Sequence, residues 1–206
     1  MWDAILFDFD GVLADTEPLH YNCWREIVEP FGIELDWGFY QKNCIGVSDR
    51  HFIERIASGR TPPVPFDELF SQYPSKKEMF RERIIANPPF LPETLALIKE
   101  LSLSNKLAVV SSSGRTEIEP ALQIAGIHQC FQTLVCGKEV ENLKPAPDPY
   151  LRAAELLGAA NPLVVEDSES GVAAGKAAGF EVLRVSSPQS MVAEVRRKLG
   201  IQVLRG

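Results

Sequence analysis

Residues 5–16 read ILFDFDGVLADT, an apolar run that carries two carboxylates, Asp8 and Asp10. The apolar residues predict a buried strand, in which side chains two positions apart point to the same face. Two carboxylates about 4 Å apart repel by roughly 4 kcal/mol at an effective dielectric near 20, and burial adds a desolvation cost. We therefore expect a positive group to be held beside this segment.

The composition is that of a globular protein without a basic surface. The 206-residue chain is 45% hydrophobic and 24% charged, with a formal net charge of −7. This charge argues against nucleic acid or an anionic membrane as a partner. The cysteines form no C-x-x-C pair, the histidines lack metal-ligand spacing, and no apolar run approaches the roughly 20 residues of a membrane span. We expect reduced thiols, a cytoplasmic location, and a monomer or weak homo-oligomer.

Short apolar runs alternate with helix-like segments along most of the chain. The runs are AILFDF (4–9), KLAVVS (106–111), TLVC (133–136), PLVVE (162–166) and EVLRV (181–185). Repetition of strand, helix and strand is typical of a parallel sheet with helices on both faces. The sequence therefore predicts an α/β fold with a Rossmann-like parallel sheet core, formed by residues 1–15 and 88–206.

Residues 16–87 break this alternation, because they show helical periodicity and no convincing strand. In EPLHYNCWREIVEPFGI (17–33), Leu19, Cys23 and Trp24 lie on one helical face, and Thr16 is placed to cap the helix. We expect an inserted α-helical cap domain that covers the carboxyl edge of the sheet. Open α/β sheets bind their ligands at that edge.

Polar residues follow four of the predicted strands. They are Asp8 and Asp10, then Ser111 to Ser113, then Lys144, and finally Glu166 and Asp167. Each group has an ordinary explanation when taken alone: an Asp-Gly turn, a polar turn, a solvated lysine, or an acid-rich helix start. Their succession at the ends of parallel strands instead predicts that they meet in one site.

The segments DFDGVLADT, VVSSS, KPAPDPY and VVEDSESGVAAGKAAG resemble, in this order, four motifs of the haloacid dehalogenase-like phosphatase superfamily. With its helical insertion, the chain is most similar to the beta-phosphoglucomutase-like subfamily. The resemblance covers nearly the whole chain. It implies an Mg²⁺-dependent enzyme that acts on a small phosphorylated metabolite. Dehalogenases of the superfamily are not expected to have an acid/base aspartate at the second position, so the resemblance implies that Asp10 favours phosphoryl transfer over carbon–halogen cleavage.

The resemblance also implies a role for each motif residue. Asp8 is the nucleophile that forms an aspartyl-phosphate, and Asp10 is the general acid and then the general base. Ser111 and Lys144 hold the phosphate oxygens, and the amide of Ser112 adds a donor. The implied Mg²⁺ ligands are the Asp8 carboxylate, the Asp10 carbonyl, Asp167 and Glu166, the last directly or through water.

Outside these motifs, the resemblance extends to the sugar-phosphate mutase pattern in DTEPLHYNCW and KKEMF. The candidate substrate-binding residues there and elsewhere are Thr16, His20, Arg50, Lys76 and Arg115. The loop CIGVSDRHF departs from the pattern. Where the mutases have a lysine before the glycine and an arginine after the serine, this chain has Ile45 and Asp49, with Arg50 one place late.

Three functions remain open at this point. Water as the acceptor of the phosphoryl group gives a phosphatase, and a sugar hydroxyl gives a beta-phosphoglucomutase-type mutase. A mutase must bind a bisphosphorylated sugar, so the loss of two cations in the loop favours the phosphatase. The third alternative, a non-catalytic phosphate-binding protein, predicts the loss of Asp8, Asp10 or Lys144, and all three residues are present.

Overall fold

The computed structural model describes residues 2–45, 49–59 and 64–201. It divides into two compact units, which we call the core unit, Met1–Asp15 with Asn87–Gly206, and the helical unit, Thr16–Ala86. Gly46 and Ser48 of the divergent loop lie outside the described residues. None of the helices within the described ranges is both long enough and apolar enough to cross a membrane.

The core unit is built on a parallel sheet. Its strands are β1 (Ala4–Phe7), β2 (Lys106–Ser111), β3 (Thr133–Cys136), β4 (Leu163–Glu166) and β5 (Glu181–Arg184), in the spatial order β3-β2-β1-β4-β5. Phe7 of β1 pairs with Val109 of β2 and with Val165 of β4. The predicted α/β fold is confirmed, and β1 lies between the strands that end in the serine and the acidic motifs.

Helices surround this sheet in the core unit, and the described part of the helical unit is built from helices as well. In the helical unit they are α1 (Glu17–Val28), α2 (Trp37–Asn43), α3 (Asp49–Ser58), α4 (Phe66–Phe70) and α5 (Tyr73–Ala86). In the core unit they are α6 (Pro92–Leu101), α7 (Arg115–Ile124), α8 (Asp148–Leu157), α9 (Glu169–Ala177) and α10 (Pro188–Leu199). Short 3-10 turns occupy Glu29–Phe31, His128–Cys130 and Gly137–Glu139.

One face of the sheet packs against α8 and α9. Leu6, Val110 and Val164 are buried on this face beside Tyr150 of α8 and Ala174 of α9. Burial of these apolar side chains stabilises the fold by about 25 cal/mol per Å² of surface removed from water. It also fixes the start of α8, and with it Tyr150, beneath the carboxyl ends of the strands.

The segment after β1 differs from the prediction. The strand ends at Phe7, and the amide of Asp8 continues the pattern by donating to the carbonyl of Val165 at 3.0 Å. A turn follows in which Gly11 has a φ of 75°, a conformation that glycine adopts without strain. The two aspartates therefore do not lie on one face of a strand, as their spacing suggested, because the turn begins before Asp10.

The helical unit has an apolar core of its own. Trp24 of α1, Tyr40 of α2, Phe52 of α3 and Leu69 of α4 belong to one buried cluster. Thr16 stands at the N-cap position of α1, as predicted, and its carbonyl accepts from the amide of His20 at 2.9 Å, but its side chain makes no capping hydrogen bond. Its φ of −85° and ψ of −15° are helical, whereas a capping residue is normally extended.

Candidate active site

Three strand ends bring polar side chains together at the carboxyl edge of the sheet. Asp8 follows β1, Ser111 ends β2 and Glu166 ends β4, and their residue surfaces are only 6%, 4% and 0% exposed. Because β2 and β4 both pair with β1, the groups that follow these strands are neighbours. The core motifs thus meet at the predicted edge.

Lys144 supplies the positive group that the opening segment requires. Its ammonium donates to Oδ1 of Asp8 at 2.7 Å, to Oε1 of Glu166 at 2.6 Å and to the carbonyl of Val110 at 2.9 Å. Only 4% of its side-chain surface is exposed. Although burial alone lowers the pKa of Lys144, the carboxylates beside it raise that pKa well above its usual value. The lysine is therefore held as a cation.

Glu166 is surrounded by hydrogen-bond donors. Its Oε1 accepts from Lys144 and, at 2.9 Å, from the hydroxyl of Tyr150. Its Oε2 accepts from the amide of Asp167 and from the amide and hydroxyl of Ser168, each at 3.0 Å. The sequence did not identify Tyr150, because nothing local to KPAPDPY indicates that its ring lies under the site. These contacts fix the carboxylate in place.

Three acidic side chains have the chemistry and the spacing of metal ligands. Asp8, Glu166 and Asp167 each bring one carboxylate oxygen within 4.8 Å of the other two. An all-oxygen set suits a hard cation such as Mg²⁺. Burial raises the pKa of Asp8 well above its usual value, Lys144 opposes this, and the nearby carboxylates raise it further. A divalent cation fits here because it would relieve that repulsion.

Asp10 is held by two serines from the turn after β2. Ser113 Oγ donates to Oδ2 of Asp10 at 2.7 Å, and Ser111 Oγ lies 3.3 Å from the same oxygen. The amide of Ser113 in turn donates to Ser111 Oγ at 3.0 Å. The sequence placed Ser113 in the motif but gave it no role, since three consecutive serines do not reveal which hydroxyl reaches the aspartate.

A second polar cluster lies within the helical unit. The ammonium of Lys76, a residue that is 2% exposed, lies 2.9 Å from Nδ1 of His20 and 3.1 Å from Oδ1 of Asp49. The indole of Trp24 donates to the same oxygen of Asp49 at 2.7 Å. Asp49, the residue that departs from the mutase pattern, therefore pairs with the lysine that matches it.

The four remaining predicted substrate-binding residues lie in different surroundings. Arg115 donates to Glu139, with Nε 2.6 Å from Oε1, and to the carbonyl of Leu134. Arg50 pairs with a neighbouring glutamate of α3 and lies over two phenylalanine rings. Thr16 is fully buried and Ser112 is exposed. Substrate contact by these four residues stays a prediction.

The fold and this arrangement of acids, lysine and serines define a class of phosphoryl-transfer proteins. A family model described as haloacid dehalogenase-like hydrolase matches residues 5–185. The chain belongs to this family, and its homologues support activity as a phosphoric monoester hydrolase.

Individual relatives and solved structures are similar to this chain over most of its length. The chain is 32% identical over 182 residues to a phosphorylated carbohydrates phosphatase of Thermotoga maritima, covering 87% of this chain and 82% of the relative. It is 27% identical to the fructose-1-phosphate phosphatase YqaB of Escherichia coli, with 88% and 95% covered. The crystal structure of CbbY from Rhodobacter sphaeroides in complex with phosphate has a TM-score of 0.70 at 27% identity, with 88% and 85% covered.

Proposed function

We propose that this protein is an Mg²⁺-dependent phosphatase that hydrolyses a small phosphomonoester, such as a sugar phosphate, through an aspartyl-phosphate on Asp8. The observation that carries this proposal is the buried ion pair of Asp8 and Lys144, 2.7 Å apart, beside the acidic cluster. The named phosphatases among the relatives support the same reaction.

In the first step, a carboxylate oxygen of Asp8 forms a bond to phosphorus as the bond from phosphorus to the leaving oxygen breaks. Asp10, protonated at this stage, gives its proton to that oxygen, so the alcohol leaves neutral. Lys144, the Ser111 hydroxyl and the Ser112 amide stabilise the charge on the non-bridging oxygens. A carboxylate is a weak nucleophile, so positioning and charge neutralisation supply most of the rate enhancement.

In the second step, water attacks the phosphorus of the aspartyl-phosphate. Asp10, now a carboxylate, takes a proton from the water as the bond between phosphorus and Asp8 breaks. The products are inorganic phosphate, the free Asp8 carboxylate and a protonated Asp10, which is ready for the next cycle. Asp10 thus serves both steps, because it gives one proton to the leaving alcohol and then takes another from water.

Mg²⁺ would be held by the carboxylates of Asp8 and Asp167, with Glu166 beside them and the backbone carbonyl of Asp10 as a further oxygen. When bound, the ion neutralises negative charge on the phosphoryl group and on the nucleophile. Glu166 already accepts five hydrogen bonds. It would therefore either share one of its oxygens with the ion or hold the neighbouring ligands in position.

We assign selection of the substrate to the helical unit, with Thr16, His20 and Lys76 as candidate contacts. The Lys76 ammonium is already paired with Asp49, which reduces its attraction for a second phosphate. A mutase has to bind a bisphosphorylated sugar, whereas a phosphatase does not. The pairing therefore favours water over a sugar hydroxyl as the acceptor.

The test is a panel of phosphorylated metabolites with Mg²⁺, scored for release of free phosphate and for isomerisation of hexose phosphates. We expect phosphate release to dominate. Asp8→Asn should lower it by at least about 10⁴-fold, since the nucleophile is lost. Asp67→Asn, the same chemical change at an exposed position of α4, should leave the rate unchanged.

Two results would contradict the proposal. Isomerisation that outpaces phosphate release in the presence of a bisphosphate primer would identify a mutase. No turnover of any compound, or full activity in Asp8→Asn, would leave a phosphate-binding protein or a different chemistry.

A further inference from the structure

Ser113 contacts Asp10 more closely than the motif serine Ser111 does. The hydroxyl oxygen of Ser113 lies 2.7 Å from Oδ2 of Asp10, within the usual range for a hydroxyl bound to a carboxylate. The corresponding distance from Ser111 is 3.3 Å, which is long for such a bond. Of these two hydroxyls, the one from Ser113 therefore holds the aspartate more firmly.

The backbone of the turn fixes the hydroxyl of Ser111 at the same time. The amide of Ser113 donates to Ser111 Oγ at 3.0 Å, so one residue holds both the aspartate and the neighbouring serine. Ser113 stands directly before Gly114, the residue that precedes α7, and Gly114 is itself held by a hydrogen bond from its amide to Glu117. Ser113 is thus fixed by the start of a helix of the core unit, which gives it a defined orientation.

We propose that Ser113 is a positioning residue for the acid and base Asp10, a role that rests on the function proposed above. By anchoring Oδ2, the Ser113 hydroxyl fixes the plane of the carboxyl group. The proton that Asp10 gives to the leaving oxygen is then delivered along one direction as the phosphorus–oxygen bond breaks. Ser113 itself touches neither the substrate nor the reacting phosphorus.

This role predicts a dependence on the leaving group. An alkyl alcohol is a poor leaving group and needs a proton from Asp10 as it departs, whereas 2,4-dinitrophenolate leaves readily without one. A residue that positions the acid therefore matters for a sugar phosphate and hardly matters for 2,4-dinitrophenyl phosphate. A residue that binds the phosphoryl group, or one that only supports the fold, affects both substrates alike.

The experiment compares kcat/KM for the sugar phosphate that the wild-type protein hydrolyses fastest with kcat/KM for 2,4-dinitrophenyl phosphate. We expect Ser113→Ala to lower the first value by about tenfold or more, because misalignment of a reacting group is costly, and the second by less than about threefold. Ser113→Thr keeps the hydroxyl and should restore the sugar phosphate to within about threefold of the wild-type value. Ser190→Ala, at another half-buried serine of the core unit, should change neither value.

Asp10→Asn, measured on the same two substrates, separates this inference from the proposed function. If Asp10→Asn is selective for the sugar phosphate and Ser113→Ala is not, the role of Ser113 is refuted and the mechanism stands. If Asp10→Asn slows both substrates equally, the role of Asp10 as the acid fails and the inference fails with it. Equal losses on both substrates in Ser113→Ala, or failure of threonine to restore the rate, also overturn the inference.

Discussion

Gly171 shows at the scale of one residue how closely the backbone is fitted around Glu166. A Cβ atom built on Gly171 would lie 1.7 Å from Oε1 of Glu166 and 2.0 Å from its Cδ. The carboxylate cannot move away without loss, because both of its oxygens accept hydrogen bonds within the core unit. The absence of a side chain at this position therefore lets α9 begin directly against the site.

We expect Gly171→Ala to displace Glu166 and, through it, Lys144. Overpacking of this kind destabilises a protein by about 1–3 kcal/mol. Phosphatase activity should fall by at least about tenfold, since groups that orient metal or phosphate ligands have effects of that size. Urea denaturation and kcat measure the two effects separately.

Gly114→Ala provides the matched control for this change. Its added Cβ would meet nothing closer than 3.7 Å, which is ordinary van der Waals contact. Its stability should stay within about 1 kcal/mol of the wild-type value. Equal stability and activity of Gly171→Ala and the wild-type protein would show that Glu166 has room to move.

At the scale of helices, α3 and α5 are joined by an ion pair whose two partners are unequally buried. The side chain of Lys76 on α5 is 2% exposed, whereas that of Asp49 on α3 is 30% exposed. A buried ammonium without a counter-charge carries a large desolvation penalty, whereas a partly exposed carboxylate that has lost its partner is solvated by water. Removal of the aspartate should therefore cost more stability than removal of the lysine.

We expect Asp49→Asn to destabilise the protein by about 2–3 kcal/mol and Lys76→Met by about 1 kcal/mol. The double variant should be more stable than Asp49→Asn, because the buried ammonium that lacks a counter-charge is gone. Urea denaturation of the four proteins gives the coupling between the two sites. Additive losses would contradict this account of the pair.

The same pair predicts a pH dependence. Burial alone raises the pKa of Asp49, but Lys76, and then His20 and Trp24, lower it below its usual value. A carboxylate with a lowered pKa in the folded state contributes stability above its unfolded pKa and loses it as the pH falls through the folded pKa. The difference in stability between the wild-type protein and Asp49→Asn should thus be constant above about pH 5 and shrink below about pH 4.

The elements of the core unit were predictable because their signals are local. The runs KLAVVS and TLVC coincide with β2 and β3, since short apolar segments bounded by turns have few other ways to be buried. The ends of β1 and α1 were less predictable, because the turn at Gly11 and the helical backbone of Thr16 depend on surroundings that no local pattern contains.

The candidate site also has a part that the sequence predicts and a part that it does not. The motif residues can be recognised in the sequence by their type and order. The structure brings Asp8, Lys144 and Glu166 together at the expected edge of the sheet. The contact of Ser113 with Asp10 joins residues 103 positions apart, and its partner depends on how the turn after β2 meets the turn after β1. Sequence periodicity carries no information about that meeting.

At the scale of the whole molecule, the acidic site works against the stability of the fold. The chain has a net charge of −7, and Asp8, Glu166 and Asp167 are held within 4.8 Å of one another by the ends of two strands. Like charges at this distance repel by a few kcal/mol at an effective dielectric of about 20, and Lys144 offsets only part of that. A protein is commonly less stable with the side chains of its functional site than with neutral or apolar residues in their place.

Asp167→Asn should therefore reverse its rank against the wild-type protein when Mg²⁺ is added. In EDTA, we expect the variant to be more stable by about 1–2 kcal/mol, because one repelling charge is gone. With Mg²⁺ at 100 times its Kd, the wild-type protein should gain about 2.7 kcal/mol by binding, and the variant much less. Thermal unfolding over a series of Mg²⁺ concentrations measures both.

Glu34→Gln makes the same change in net charge at an exposed position of the helical unit, and its Tm should respond to Mg²⁺ as that of the wild-type protein does. An equal response in Asp167→Asn would place the ion elsewhere, and no response in the wild-type protein would remove the metal from the mechanism. The reversal itself would mean that the fold holds Asp8 close to Glu166 and Asp167 despite their repulsion, and that a bound cation relieves this repulsion.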